Sequence, residues 1–125
     1  MPEHAYLLAF VKGFVVTQAV EIPVVWHFLS RHFRRIDGSV SFIRIIAAAF
    51  FANMATLPYL WFVYPEFLDF SGSVAIGEAT ALVAEALLYY FLLGASLRAA
   101  FLASLTANGC SVIVGLLVMP PFGGK

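Results

Sequence analysis

Four long apolar runs, separated by short polar interruptions, make up nearly the whole chain: about residues 5–29, 40–63, 73–93 and 97–119. Crossing a hydrocarbon core of about 30 Å takes roughly 20 residues at about 1.5 Å each, and every run is long enough. The pattern predicts an all-α polytopic membrane protein, four transmembrane helices in an up-down bundle, with residues 1–125 forming one transmembrane domain. The expected connectors are Arg31 to Gly38, Tyr64 to Gly72 with Pro65, Glu66 and Asp69, and the turn Gly94-Ala95-Ser96; Pro120, Pro121, Gly123 and Gly124 should end the last helix. The first run lacks the basic lead of a signal peptide and holds Lys12 and Glu21 within it, so it reads as a permanent helix.

Composition strengthens this reading. Of the 125 residues 62% are hydrophobic and only 11% charged, whereas soluble domains run at about 45–50% apolar and about 25% charged. Seven basic residues balance seven acidic ones, which leaves no basic face for nucleic acid. One cysteine, Cys110, excludes a disulfide scaffold. The distribution of charge is informative where its sum is not. Arg31, Arg34, Arg35, Arg44 and Arg98 gather at two turns on one side, while Glu3, Glu66 and Asp69 lie on the other with only Lys125 as a clear cation. The positive-inside rule then places the arginine-rich turns in the cytoplasm and both termini outside.

The two halves of the chain echo each other. Glu21 is followed by a basic turn, Arg44 and then Ala52-Asn53; Glu85 is followed by a turn, Arg98 and then Ala107-Asn108. Such a two-helix repeat would be related by an axis along the membrane normal. Counted from the arginine side, Glu21, Asn53, Glu85 and Asn108 come to depths of about 12, 18, 13 and 16 Å, one polar layer near the midplane. Ionised carboxylates there cost at least a few kcal/mol, so they should face the interior and find donors, and each Asn offers two N–H groups. Two readings follow. The layer is structural, fixing helix pairing and rotation, or Glu21 and Glu85 bind a proton, a cation or a cationic solute.

Secondary candidates flank this layer. Glu78, seven residues before Glu85, shares its face. Lys12 sits at a similar depth and would either pair with Glu78 or, more in keeping with its position nine residues from Glu21, snorkel to the headgroups. Pro23 frees a carbonyl that would lie near Glu21 and could join an ion site, and Pro58, after Asn53 and Thr56, offers the same choice. Small residues Ala47, Ala48, Ala49, Ala52 and Gly109 point to spans two and four as the tightly packed pair. Trp26, Trp61, Tyr59, Tyr64, Tyr89 and Tyr90 suit an aromatic belt. No metal, cofactor or catalytic set is expected: His4, His27 and His32 make no metal constellation, none of the glutamates has a histidine three residues on, and no phosphate loop is present. Enzyme chemistry would require the two glutamates themselves to do acid–base work.

The motifs Glu21-Ile22-Pro23, then Asn53, Thr56, Pro58 and Trp61, then Glu85 and Ala107-Asn108 resemble a class of small bacterial four-helix membrane proteins without assigned activity. The resemblance covers most of the chain and implies topology and a bacterial source; Leu57 stands where that class often has His. Small multidrug exporters also place a glutamate in the first of four helices, and fluoride channels have this size. The strong charge asymmetry here argues against the dual insertion common to both. The expected function is a non-catalytic membrane subunit or scaffold, set against a small transporter or proton- or cation-coupled module. The expected partners are the bilayer and either further copies of the chain or a larger membrane complex.

Overall fold

The computed structural model describes residues 3–35 and 40–118. Five α-helices fill them: α1 (Glu3–Arg35), α2 (Phe42–Pro58), α3 (Tyr64–Phe67), α4 (Phe70–Leu93) and α5 (Leu97–Val118), with a π-helical turn, Tyr59–Val63, joining α2 to α3. Four stretches are long and apolar enough to cross a membrane: Glu3–Arg34, Phe42–Phe67, Ser71–Leu93 and Leu97–Val118. The protein is an all-α four-helix bundle.

Local chemistry explains the helix ends. Ser41 and Ser96 cap α2 and α5, their hydroxyls accepting from the N–H of Arg44 (3.2 Å) and of Ala99 (3.1 Å). Asp69 Oδ1 caps α4 by accepting from Gly72 N–H at 2.7 Å. At the other end of α4, Gly94 takes φ 71°, the left-handed conformation that costs glycine nothing, and its N–H closes on Tyr90 O.

Two connectors are shorter than the polarity of the sequence suggests. Arg31–Arg35 continues α1 instead of opening a loop, because charged residues are stable on a helix that has left the hydrocarbon. Tyr64, Pro65 and Glu66 likewise belong to α3, where Pro65 stands in the first turn and needs no N–H partner. Of that connector only Leu68 and Asp69 lie outside helix. The expected turn at Gly38, the expected end of span four at Met119, Pro120, Pro121, Gly123 and Gly124, and Lys125 lie outside the described residues.

The spans form a ring in chain order: α1 packs on α2, α2 on α4, α4 on α5, and α5 closes on α1. Spans two and four are therefore diagonal partners, not the close pair expected from their alanines. The alanines serve a different purpose. Ala48, Ala49 and Ala52 of α2 and Ala99, Ala100, Ala103 and Ala107 of α5 point into one shared core, where small side chains leave room for Glu21, Glu85, Tyr89, Leu29 and Ile45. Gly109 is exposed, and a Cβ there would meet nothing within 4 Å.

A ring cluster fastens the end of the bundle where α1 begins. Phe10 and Phe62 stand 4.8 Å apart edge to face, and Trp61 packs against both Tyr6 and Phe10. The Tyr6 hydroxyl donates to the carbonyl of Trp61, which Pro65, four residues on, cannot serve. Close approach makes two glycines necessary: a Cβ on Gly13 would lie 2.8 Å from Trp61 Cζ2, and one on Gly77 2.7 Å from Leu60 Cγ.

Candidate functional site

Each of the four spans contributes polar side chains to the interior at one level. On α1, Gln18 and Glu21 are buried one turn apart; on α2, Asn53 and Thr56; on α4, Glu85 and Tyr89; on α5, Ser104, Asn108 and Ser111. All are spaced three or four residues apart, so they project from one face of each helix. Glu21 and Glu85 are each only 1% exposed.

Glu85 is well supplied. Thr56 Oγ1 donates to its Oε1 at 2.9 Å and Asn108 Nδ2 to its Oε2 at 2.7 Å. Asn108 is itself held by Ser104, through its carbonyl at 2.9 Å and its hydroxyl at 3.2 Å. Ser104 in turn donates to Leu82 O at 2.8 Å and so ties α5 to α4.

Glu21 is not so supplied. Ser111 Oγ donates to its Oε1 at 2.6 Å, while Oε2 is buried without a partner among the described residues. Asn53 lies beside Glu21, yet its Nδ2 donates to Gln18 Oε1 at 2.9 Å, and Asn53 Oδ1 is left unmet as well. Gln18 Nε2 is committed to Phe50 O at 3.3 Å. The Tyr89 hydroxyl, close enough to feel the charge of both glutamates, is a third buried polar atom without a partner. A buried polar group left unpaired costs about 1–3 kcal/mol. Three of them converge here from α1, α2 and α4.

The bonds cross between the halves of the chain. Thr56, three residues after Asn53, serves Glu85; Ser111, three residues after Asn108, serves Glu21. Each acid thus takes its hydroxyl from the opposite half. The symmetry fails at the amides, because Gln18 stands three residues before Glu21 where Leu82 stands before Glu85, and it captures Asn53.

The layer therefore brings together Glu21, Asn53, Glu85, Asn108 and Thr56, and adds Gln18, Ser104, Ser111 and Tyr89. Ser111 could have been read from the repeat as the counterpart of Thr56, and Gln18 from its place one turn from Glu21 on the same face. Tyr89 is no belt residue: it is fully buried, one turn beyond Glu85. Lys12 is exposed, and no salt bridge joins it to Glu78 or links any other described pair. Pro23 and Ala19, whose carbonyl that proline leaves without its helical partner, are both exposed, so this carbonyl lies on the lipid side and does not join the carboxylates.

No protein family, curated protein or solved structure matches this chain.

Proposed function

We propose that this small integral membrane protein carries an exchangeable proton, or a small cation in its place, on the Glu21–Glu85 pair, and acts as a proton-coupled transport module. The observation that supports this most directly is the state of Glu21: a carboxylate 1% exposed, with one oxygen unmet and no basic side chain bonded to it. Two neighbouring carboxylates in low dielectric repel each other strongly, and each charge in the hydrocarbon costs several kcal/mol. The pair accordingly holds at most one negative charge, and the other acid has a proton to give.

The chain is placed, under this proposal, in a bacterial plasma membrane with both termini outside. Arg31, Arg34, Arg44 and Arg98 at one end, opposite Glu3, Glu66 and Asp69, support that orientation. Four helices enclose a narrow interior, so a complete path would draw on a second copy or a larger complex.

A second reading, a non-catalytic subunit or scaffold, is favoured by the reciprocal hydroxyl bonds and the apolar packing around them, which serve assembly equally well. Glu21→Gln and Glu85→Gln separate the two readings, since Gln keeps shape and hydrogen bonding but cannot titrate. In liposomes loaded with a pH-reporting dye, the variants should fold yet abolish proton-linked uptake. Proton movement equal to wild type in both would leave the scaffold reading.

A further inference from the structure

We propose that, in the conformation described, the carboxylate pair exchanges its proton with the Glu66/Asp69 end of the bundle, and that Glu78 is the relay through which it does so. This rests on the proton-carrying reading of Glu21 and Glu85.

Glu78 lies seven residues before Glu85 on α4, two turns and about 10 Å nearer that end. It is half-buried and close enough to Glu21 and Glu85 for their charges to interact; these are the titratable groups that face it, Glu85 from its own helix and Glu21 from α1. No hydrogen bond or cation among the described residues claims its carboxyl. A charged carboxyl at this depth with nothing to hold it is costly, and such residues mark proton relays in membrane proteins.

The centre it would serve shows the matching need. Glu21 Oε2, Asn53 Oδ1 and the Tyr89 hydroxyl are buried and unmet. They belong to residues 1%, 0% and 0% exposed, on three different helices. Together they offer two acceptors and a donor to an arriving proton or the water that carries it.

The two ends of the interior differ. Towards the arginines, Val25, Leu29, Phe33, Ile45, Leu93 and Ala100 are packed together, all buried. There the Arg44 guanidinium braces α2 against α4 by donating to Leu92 O at 2.9 Å. Beyond Tyr89 the core on that side is hydrocarbon, with His32 Nε2, buried and unmet, three residues beyond Leu29. Towards the acidic end, Thr17 is half-buried one turn from Glu21, and further out Trp61 closes on Gly13 and Leu60 on Gly77. Buried and half-buried polar side chains, Gln18, Thr17, Ser111 and Glu78, continue on that side.

The step is a proton transfer. The O–H bond of protonated Glu78 breaks, a bridging water passes the proton on, and an O–H bond forms on the Glu85 carboxylate; the negative charge moves from Glu85 to Glu78. Glu78 is reprotonated from the aqueous phase, and Glu85 shares its proton with Glu21.

The test uses the full chain in liposomes of phosphatidylcholine and phosphatidylglycerol, sorted to a single orientation. Infrared spectroscopy follows the carboxylic C=O band that the double variant Glu21→Gln/Glu85→Gln lacks, after a pH jump on the outer surface. With the acidic end outward the wild-type band should respond at once, and with the arginine end outward only at the slower pace of transport turnover. Glu78→Gln should slow the response by about a hundredfold, the low end of what a positioned proton-transfer group contributes, without changing the band's final amplitude. Glu78→Asp should restore much of the rate. Equal rates in wild type and Glu78→Gln, or a response from the arginine end as fast as that from the acidic end, would overturn the proposal. Absence of any such band from the wild type would overturn the proton-carrying reading itself.

Discussion

Glu21 and Glu85 differ in how many donors reach them, and the difference traces to one side chain. Leu82 cannot compete for Asn108, whereas Gln18 takes one of the two N–H groups of Asn53. Gln18→Leu should therefore let Asn53 turn onto Glu21, as Asn108 bonds Glu85. Chemical denaturation should find that variant no less stable than wild type, while Asn53→Leu, which removes the donor altogether, should lose about 1–3 kcal/mol. Ser111→Ala removes the one donor that Glu21 has. Interhelical hydrogen bonds in bilayers are worth about 0.6–2 kcal/mol; a loss of that size is expected, and it should shrink when Glu21 is already replaced by Ala. Rise per residue was enough to bring Glu21, Asn53, Glu85 and Asn108 to one level from the sequence. Which of them would bond was not legible, because it depends on rotations of a few tens of degrees and on competitors such as Gln18 that look neutral in a hydropathy pattern.

At the scale of elements, span two carries the irregularity. It runs from Phe42 to Phe67 through a π-helical turn between two prolines, Pro58 and Pro65, and the Tyr6 hydroxyl serves the Trp61 carbonyl that Pro65 cannot. Tyr6→Phe should cost about 1 kcal/mol. Pro65→Ala, which returns an N–H to the helix, should recover most of that loss in the double variant; simple addition of the two effects would sink the explanation. Gly77→Ala drives a methyl into Leu60, where only 2.7 Å is open, and should lower stability by about 1–3 kcal/mol in thermal melts. The span count was readable because about 20 apolar residues have few other uses in such a chain. The ends were not, since polar residues such as Arg31, Arg34 and Glu66 mark where a helix leaves the membrane, and the helix continues beyond that point.

For the molecule as a whole, the ring of spans in chain order explains why the alanine-rich faces misled. Small residues on two helices signal close approach, but they do not say whether the helices touch each other or make room for side chains between them. Here they make room for two acids and a tyrosine. The charge asymmetry yields a prediction at this scale: a cysteine placed at Ser96 should be spared by a membrane-impermeant reagent in intact cells and react once the cells are opened, and replacing Arg31, Arg34, Arg44 and Arg98 by Gln should randomise that result.

The crossing of Thr56 to Glu85 and of Ser111 to Glu21 bears on how such a chain could have arisen. A single ancestral hairpin carrying Glu, Asn and a hydroxyl at these spacings could have satisfied its acid only by associating with another of its kind. Gene fusion would then have made that partnership permanent. If so, the two hairpins expressed as separate polypeptides should still find one another, and each made without its mate should be degraded as an orphan.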